Sequence, residues 1–224
     1  MRKLEICCNN IASVLAAKSG GADRIELCSA LELGGLTPSI GLIEEAVKIF
    51  GKGVFVLIRE RAGDFNYSKP EIEVMKRDIK AAVAAGVGGI VIGALTPDKH
   101  IDKDAIREMM TETKGVEVTF HRAFDEVVEP ETALEEIIEL GCDRILTSGQ
   151  KPGAFEGIPL LKKLNRLAKG RIIILAGAGV TPENAAQILE LSEGKEIHAS
   201  AKIDVNGHIE SSQEIVKKIK TNIS

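Results

Sequence analysis

The chain has 224 residues, 44% hydrophobic and 28% charged, with a net charge of −4, which suits a soluble globular protein long enough to bury a sizeable core. The acidic balance, scattered Lys and Arg, single Tyr and absent Trp argue against a nucleic-acid partner, which asks for basic surfaces and stacking rings. No apolar run approaches the roughly 20 residues that span a bilayer, and Met1-Arg2-Lys3-Leu4-Glu5 does not read as a signal peptide, so the expectation is a cytoplasmic protein without membrane contact, its Cys7, Cys8, Cys28 and Cys142 free thiols.

In chain order, short apolar runs alternate with helical patterns. The expected strands are Leu4–Cys7, Arg24–Cys28, Val54–Ile58, Gly89–Ile92, Val116–Phe120, Arg144–Thr147, Ile172–Leu175 and Glu196–Ala199, each short and mostly apolar as fully buried parallel strands are. Between them, Ile72, Met75, Ile79 and Val83 keep helical spacing, as do Leu160, Leu164 and Leu167. Thr37-Pro38, Asp102, Thr181-Pro182 and a Ser211/Glu214 capping box read as helix starts, and Gly86, Gly141, Gly170 and Gly194 as helix stops. Eight strand–helix units predict one (β/α)8 TIM-type barrel domain over 1–224, in preference to an open doubly wound sheet. Gly21-Ala22-Asp23-Arg24 and Gly141-Cys142-Asp143-Arg144 recur four units apart; a shared half-barrel origin and a common helix-to-strand turn both explain this.

Several strands end in polar groups. Val116–Phe120 runs into His121-Arg122-Ala123-Phe124-Asp125, Val54–Ile58 into Arg59-Glu60-Arg61, and Arg144-Ile145-Leu146 into Thr147-Ser148-Gly149. Charge at the edge of a core is costly, and barrels build their sites at strand C-termini. Strand alternation sends Glu5, Glu26, Arg59, His121 and His198 toward one mouth; the alternative is an ion-pair network that fixes strand register. The catalytic candidates are His121 as general acid/base, with Glu26 or Glu5 as its carboxylate partner, and Asp125. Arg59, Arg61, Arg122 and His198 are candidate anion ligands, joined by Ser148 and by the Gly177-Ala178-Gly179 turn, which has the form of a phosphate cradle. No lysine lies inside a strand, which speaks against a Schiff-base aldolase, although Lys202 stands just past the last one. The polar loop Arg59–Pro70 reads equally as a lid or a surface excursion.

The repeated Glu-x-Cys of Glu5-Ile6-Cys7 and Glu26-Leu27-Cys28 places two thiols on neighbouring strands, about 4.8 Å apart. They could share a soft ion such as Cu(I) or simply be small buried hydrophobes.

Together with Gly34-Gly35-Leu36-Thr37-Pro38-Ser39, Arg59-x-Arg61-x-Gly63-Asp64-Phe65-x-Tyr67-Ser68, Phe120–Asp125, Arg144–Gly149 and His198-Ala199-Ser200-Ala201, these motifs resemble the CutC family of copper homeostasis proteins over nearly the whole chain. The resemblance implies a TIM-type barrel, a cytoplasmic location, homo-oligomers, and Cu(I) binding at Cys7 and Cys28. The chain departs from the family pattern with Leu57 where a methionine is common, Glu60 where proline is expected and Lys202 where arginine is expected. A copper-handling barrel is thus one expectation; a barrel enzyme acting on a small anionic, carbohydrate-like substrate is the other.

Overall fold

In the computed structural model, which describes residues 2–224, the apolar runs form strands β1 (Lys3–Cys8), β2 (Arg24–Leu27), β3 (Val54–Leu57), β4 (Gly89–Ile92), β5 (Glu117–Phe120), β6 (Arg144–Thr147), β7 (Ile173–Ala176) and β8 (Glu196–Ala199). They close in chain order into a parallel barrel. Closure rests on β1 pairing with both neighbours: Glu5 lies opposite Arg24 on β2 and opposite His198 on β8. The open-sheet alternative is thereby excluded.

Helices α1 (Ile11–Gly20), α2 (Ile40–Phe50), α3 (Lys69–Ala84), α4 (Lys103–Met110), α5 (Pro130–Glu139), α6 (Ile158–Ala168), α7 (Ala185–Ser192) and α8 (Gln213–Ile223) wrap the barrel. Outward strand residues such as Leu4, Ile6, Ile25, Val56 and Ile90 pack against helix residues such as Met75, Ile79 and Val216 to form the main core.

Three expected helix starts are displaced. Ser39 and not Thr37 caps α2, because Thr37 Oγ1 is engaged with the backbone of Arg59 on the neighbouring loop. Thr181-Pro182 precedes a turn, and α7 begins only at Ala185. Ser212, not Ser211, caps α8; Ser211 ends a strand and binds the carbonyls of Cys7 and Ser200. That strand belongs to an unforeseen hairpin, β9 (Lys202–Val205) and β10 (His208–Ser211), between β8 and α8.

The end of the barrel opposite the strand C-termini is filled by an ion-pair network. The two copies of the Gly-x-Asp-Arg repeat do the same work here. Asp23 accepts from the Leu4 amide and Asp143 from the Val118 amide, both at 2.7 Å, bracing β1 and β5. The arginines that follow point inward and share one carboxylate: Arg24 reaches Glu196 at 2.6 Å and Arg144 reaches it at 2.8 Å. Arg24 also pairs with Glu5, and Arg144 with Glu117. The Phe55 ring lies 5.0 Å from one guanidinium and 5.3 Å from the other. Gly89 makes room for that ring, since a Cβ there would come within 2.2 Å of it.

Candidate functional site at the barrel mouth

At the C-terminal ends of the strands the packing opens into a cavity of about 740 Å³. Four of the five groups expected to converge there do so: Glu26, Arg59, His121 and His198 all line it. Glu5 sits one layer deeper, against Arg24, and does not line the cavity. Its carboxyl is nonetheless part of the site from below. His198 Nδ1 lies 2.8 Å from Glu5 Oε1, and its Nε2 lies 3.5 Å from Glu26 Oε2.

Glu26 and Glu5 are therefore partners of His198 and not of His121, which corrects the expected pairing. The register explains the difference. Glu5 is directly opposite His198 on the adjacent strand, whereas β5 lies across the barrel. Burial works against a charged His198, but the Glu5 hydrogen bond and the charges of Glu26 and Glu5 outweigh it and raise its pKa. Burial likewise favours a neutral Glu5, yet Arg24 and His198 hold its pKa down to about 2. For Glu26 burial prevails and the pKa is raised.

His121 is 5% exposed and has no carboxylate beside it among the described residues. Its Nδ1 accepts from the Ala123 amide at 3.1 Å, which caps the short turn Arg122–Glu126. The ring fits only because residue 93 is glycine, where a Cβ would lie 2.4 Å from it. Burial, and then the charge of Arg59, lower its pKa to about 3. Phe65 stands between the two groups, 4.9 Å from the imidazole and 4.9 Å from the Arg59 guanidinium. Phe65 is not among the expected site residues; an aromatic ring in the largely polar 59–70 loop is the signal the sequence offers.

Cys7 and Cys28 also face the cavity, with their sulfurs 3.7 Å apart. A linear two-thiolate site needs a separation of about 4.6 Å for metal–sulfur bonds of about 2.3 Å, so the pair is closer than a linear arrangement requires. At 3.7 Å the same bonds enclose an angle of about 107°, which suits an ion that takes further ligands. These are at hand: one ligand atom each from Cys7, Glu26 and His198 lie within 4.8 Å of one another. Leu57 closes the apolar side of the thiols. The pKa of the Cys7 thiol is raised, first by its contact with Cys28 and then by burial.

The other expected residues serve the walls. Arg122 and Gly179 line the cavity, while Arg61, Asp125, Ser148 and Gly177 do not. Arg61 is turned to Glu71, Asp64 and the Asn66 carbonyl, tying the 59–70 loop to the start of α3. Asp125 accepts from the Ser148 amide at 3.0 Å and pairs with Arg122 at 2.8 Å, joining the loops after β5 and β6. Gly177 lets β7 approach β8, since a Cβ there would lie 3.2 Å from that of His198.

A closed parallel barrel with polar groups gathered at its C-terminal mouth defines a TIM-barrel protein of the kind that places its site there. More narrowly, the chain belongs to the CutC family, whose model matches residues 2–203. It is 49% identical over 199 residues to the copper homeostasis protein cutC homolog of Homo sapiens, spanning 89% of this chain and 73% of that one. A CutC protein of Bacteroides thetaiotaomicron is 47% identical over 215 residues, 96% of this chain and 86% of that one. The crystal structure of a CutC protein from Streptococcus agalactiae superposes with a TM-score of 0.85 at 35% identity, covering 89% of this chain and 99% of that one. An N-(5'-phosphoribosyl)anthranilate isomerase from Pyrococcus furiosus shares the fold, with a TM-score of 0.64 at 13% identity over 100% of this chain and 98% of that one. Among the described residues no helix is long and apolar enough to cross a membrane.

Proposed function

We propose that the protein binds Cu(I) as cargo through Cys7 and Cys28, with His198 as a further ligand on the Cys7 side. The observation that carries this reading is the pair of buried sulfurs 3.7 Å apart on the cavity wall. Soft thiolates favour Cu(I) over harder ions. Glu5 supports the imidazole from behind, as carboxylates do for metal-bound histidines. The two remaining thiols serve as internal controls, because Cys8 and Cys142 are buried in the outer core, away from the cavity. In competition with a chromogenic Cu(I) chelator, Cys7→Ser/Cys28→Ser should lose the ion while Cys8→Ser/Cys142→Ser keeps it. Equal retention by the two double variants would end this reading.

One observation favours a second reading, a barrel enzyme acting on a small anionic substrate: a cavity of about 740 Å³ is the size of a small-molecule site and far larger than an ion needs.

A further inference from the structure

Three arginines are buried among the described residues: Arg24, Arg59 and Arg144. Two of them have carboxylates at hydrogen-bond distance. Arg59, 6% exposed, has none among the described residues. Its Nη1 donates to the carbonyls of Leu33 and Gly35, both at 3.1 Å, and its Nη2 to that of Gly63 at 2.7 Å. These neutral acceptors hold the guanidinium in place without cancelling its charge. Tyr67 does not cancel it either, because burial raises the pKa of its phenol and keeps it neutral. A buried charge without a counter-charge is costly.

Two unsatisfied atoms belong to the cavity wall. Among the described residues, Arg59 Nε is buried and has no acceptor, and neither has His121 Nε2. The tautomer of His121 follows from its surroundings. Nδ1 accepts the Ala123 amide proton, so the single proton of the neutral ring sits on Nε2. Both orphans are therefore N–H donors, and both flank the Phe65 ring. Buried donors in native proteins find partners; two of them beside an uncompensated cation call for an oxygen acceptor with negative charge. Glu26 is not that acceptor, since its carboxylate faces His198.

We propose that the mouth is a binding site for a small organic oxyanion, a carboxylate or a phosphate ester, whose charged oxygens accept from Arg59 Nε–H and His121 Nε2–H. The ligand lies against Phe65, with Arg122 and the Gly179 turn on the cavity wall around it. This inference deepens the enzyme reading and rests on it for treating the cavity as a ligand chamber; it does not depend on the thiol pair.

The test titrates the full chain with inorganic phosphate, with glycolate and with neutral ethylene glycol at constant ionic strength. It follows both the melting temperature and the His121 Nε2–H proton by NMR. Saturable stabilisation by either oxyanion, with that proton becoming slow to exchange and neutral diol inert, is the expected result. A phosphate response identifies the phosphate-ester class and a glycolate response the carboxylate class. Arg59→Lys and His121→Phe should each weaken binding at least about tenfold, the loss of one charge-assisted hydrogen bond. His121→Phe keeps the test decisive should Arg59→Lys fail to fold. No response to either oxyanion, or undiminished binding by folded His121→Phe, would overturn the proposal. Oxyanion binding by a protein that turns over no small anion sinks the enzyme reading and leaves this site standing.

Discussion

The two ends of the barrel interior are built from the same residue types and solve opposite problems. At the closed end, Arg24 and Arg144 are matched by Glu5, Glu117 and Glu196, and every guanidinium has a carboxylate. At the open end, among the described residues, Arg59 has only carbonyls as acceptors, His121 Nε2 has none, and two thiols touch. Both ends are buried, so burial does not separate structure from function here. What separates them is whether the polar groups complete one another. A satisfied network fixes register; an unsatisfied one leaves donors facing the cavity.

The comparison breaks most easily at Glu196, the carboxylate that the two arginines of the closed end share. Glu196→Ala leaves both buried guanidiniums short of a partner, and a loss of roughly 3–5 kcal/mol in urea unfolding is expected. A loss under about 1 kcal/mol, the scale of an exposed pair, would show that the closed end is as incomplete as the mouth. Gly89→Ala comes next. Its Cβ would press on the Phe55 ring between the two arginines, and overpacking of this kind costs about 1–3 kcal/mol without touching the mouth.

Much of this division was legible in the sequence. All eight strands fall within one residue of the expected bounds, because short Val/Ile-rich runs between amphipathic helices leave few alternatives. The polar strand ends correctly indicated the mouth for Glu26, Arg59, His121 and His198. The sequence could not say which carboxylate meets which histidine. That depends on the stagger between strands, which put Glu5 opposite His198 and Cys7 opposite Glu26. Nor could alternation distinguish Arg59, turned to the mouth, from Arg61, turned to Glu71 and the Asn66 carbonyl: both lie past the end of β3, where strand geometry no longer sets the direction of a side chain. The unforeseen hairpin after β8 has a legible signal as well: Asn206-Gly207 between the alternating Ile203, Val205 and Ile209 is a strong hairpin turn.

A smaller effect per unit of pH sharpens the mouth side of the comparison. His121 has a folded pKa of about 3 against an ordinary 6.5. Below pH 6.5 the unfolded chain takes up a proton that the folded one refuses, so stability falls as pH falls. The slope from this group is about 1.4 kcal/mol per pH unit between 6.5 and 3. Glu5, with its folded pKa of about 2 against 4.5, adds a loss only below pH 4.5. Glu26, whose folded pKa is raised, contributes in the opposite sense above 4.5. The difference in stability between wild type and His121→Phe cancels the contributions of both glutamates. It should grow steadily more unfavourable to the wild type from pH 6.5 downward. A flat difference would mean that His121 protonates freely in the fold, so that its ring is not sealed from water by burial.

The smallest expected change in stability tests the thiols. Leu57 lies beside Cys7 and Cys28, and its Cδ2 would meet a Cβ at Gly35 that also comes within 3.7 Å of Cys28 Sγ. Leu57→Met conserves volume, so it should cost less than about 1.5 kcal/mol. The thioether it introduces is a soft ligand placed next to the two sulfurs. If Cu(I) is held between them, this variant should take more copper from the chelator than wild type does, and the gain should vanish in Leu57→Met/Cys7→Ser/Cys28→Ser. A gain that survives removal of both cysteines would place the ion elsewhere. An unchanged affinity with both thiols present would mean that no copper approaches this wall of the mouth.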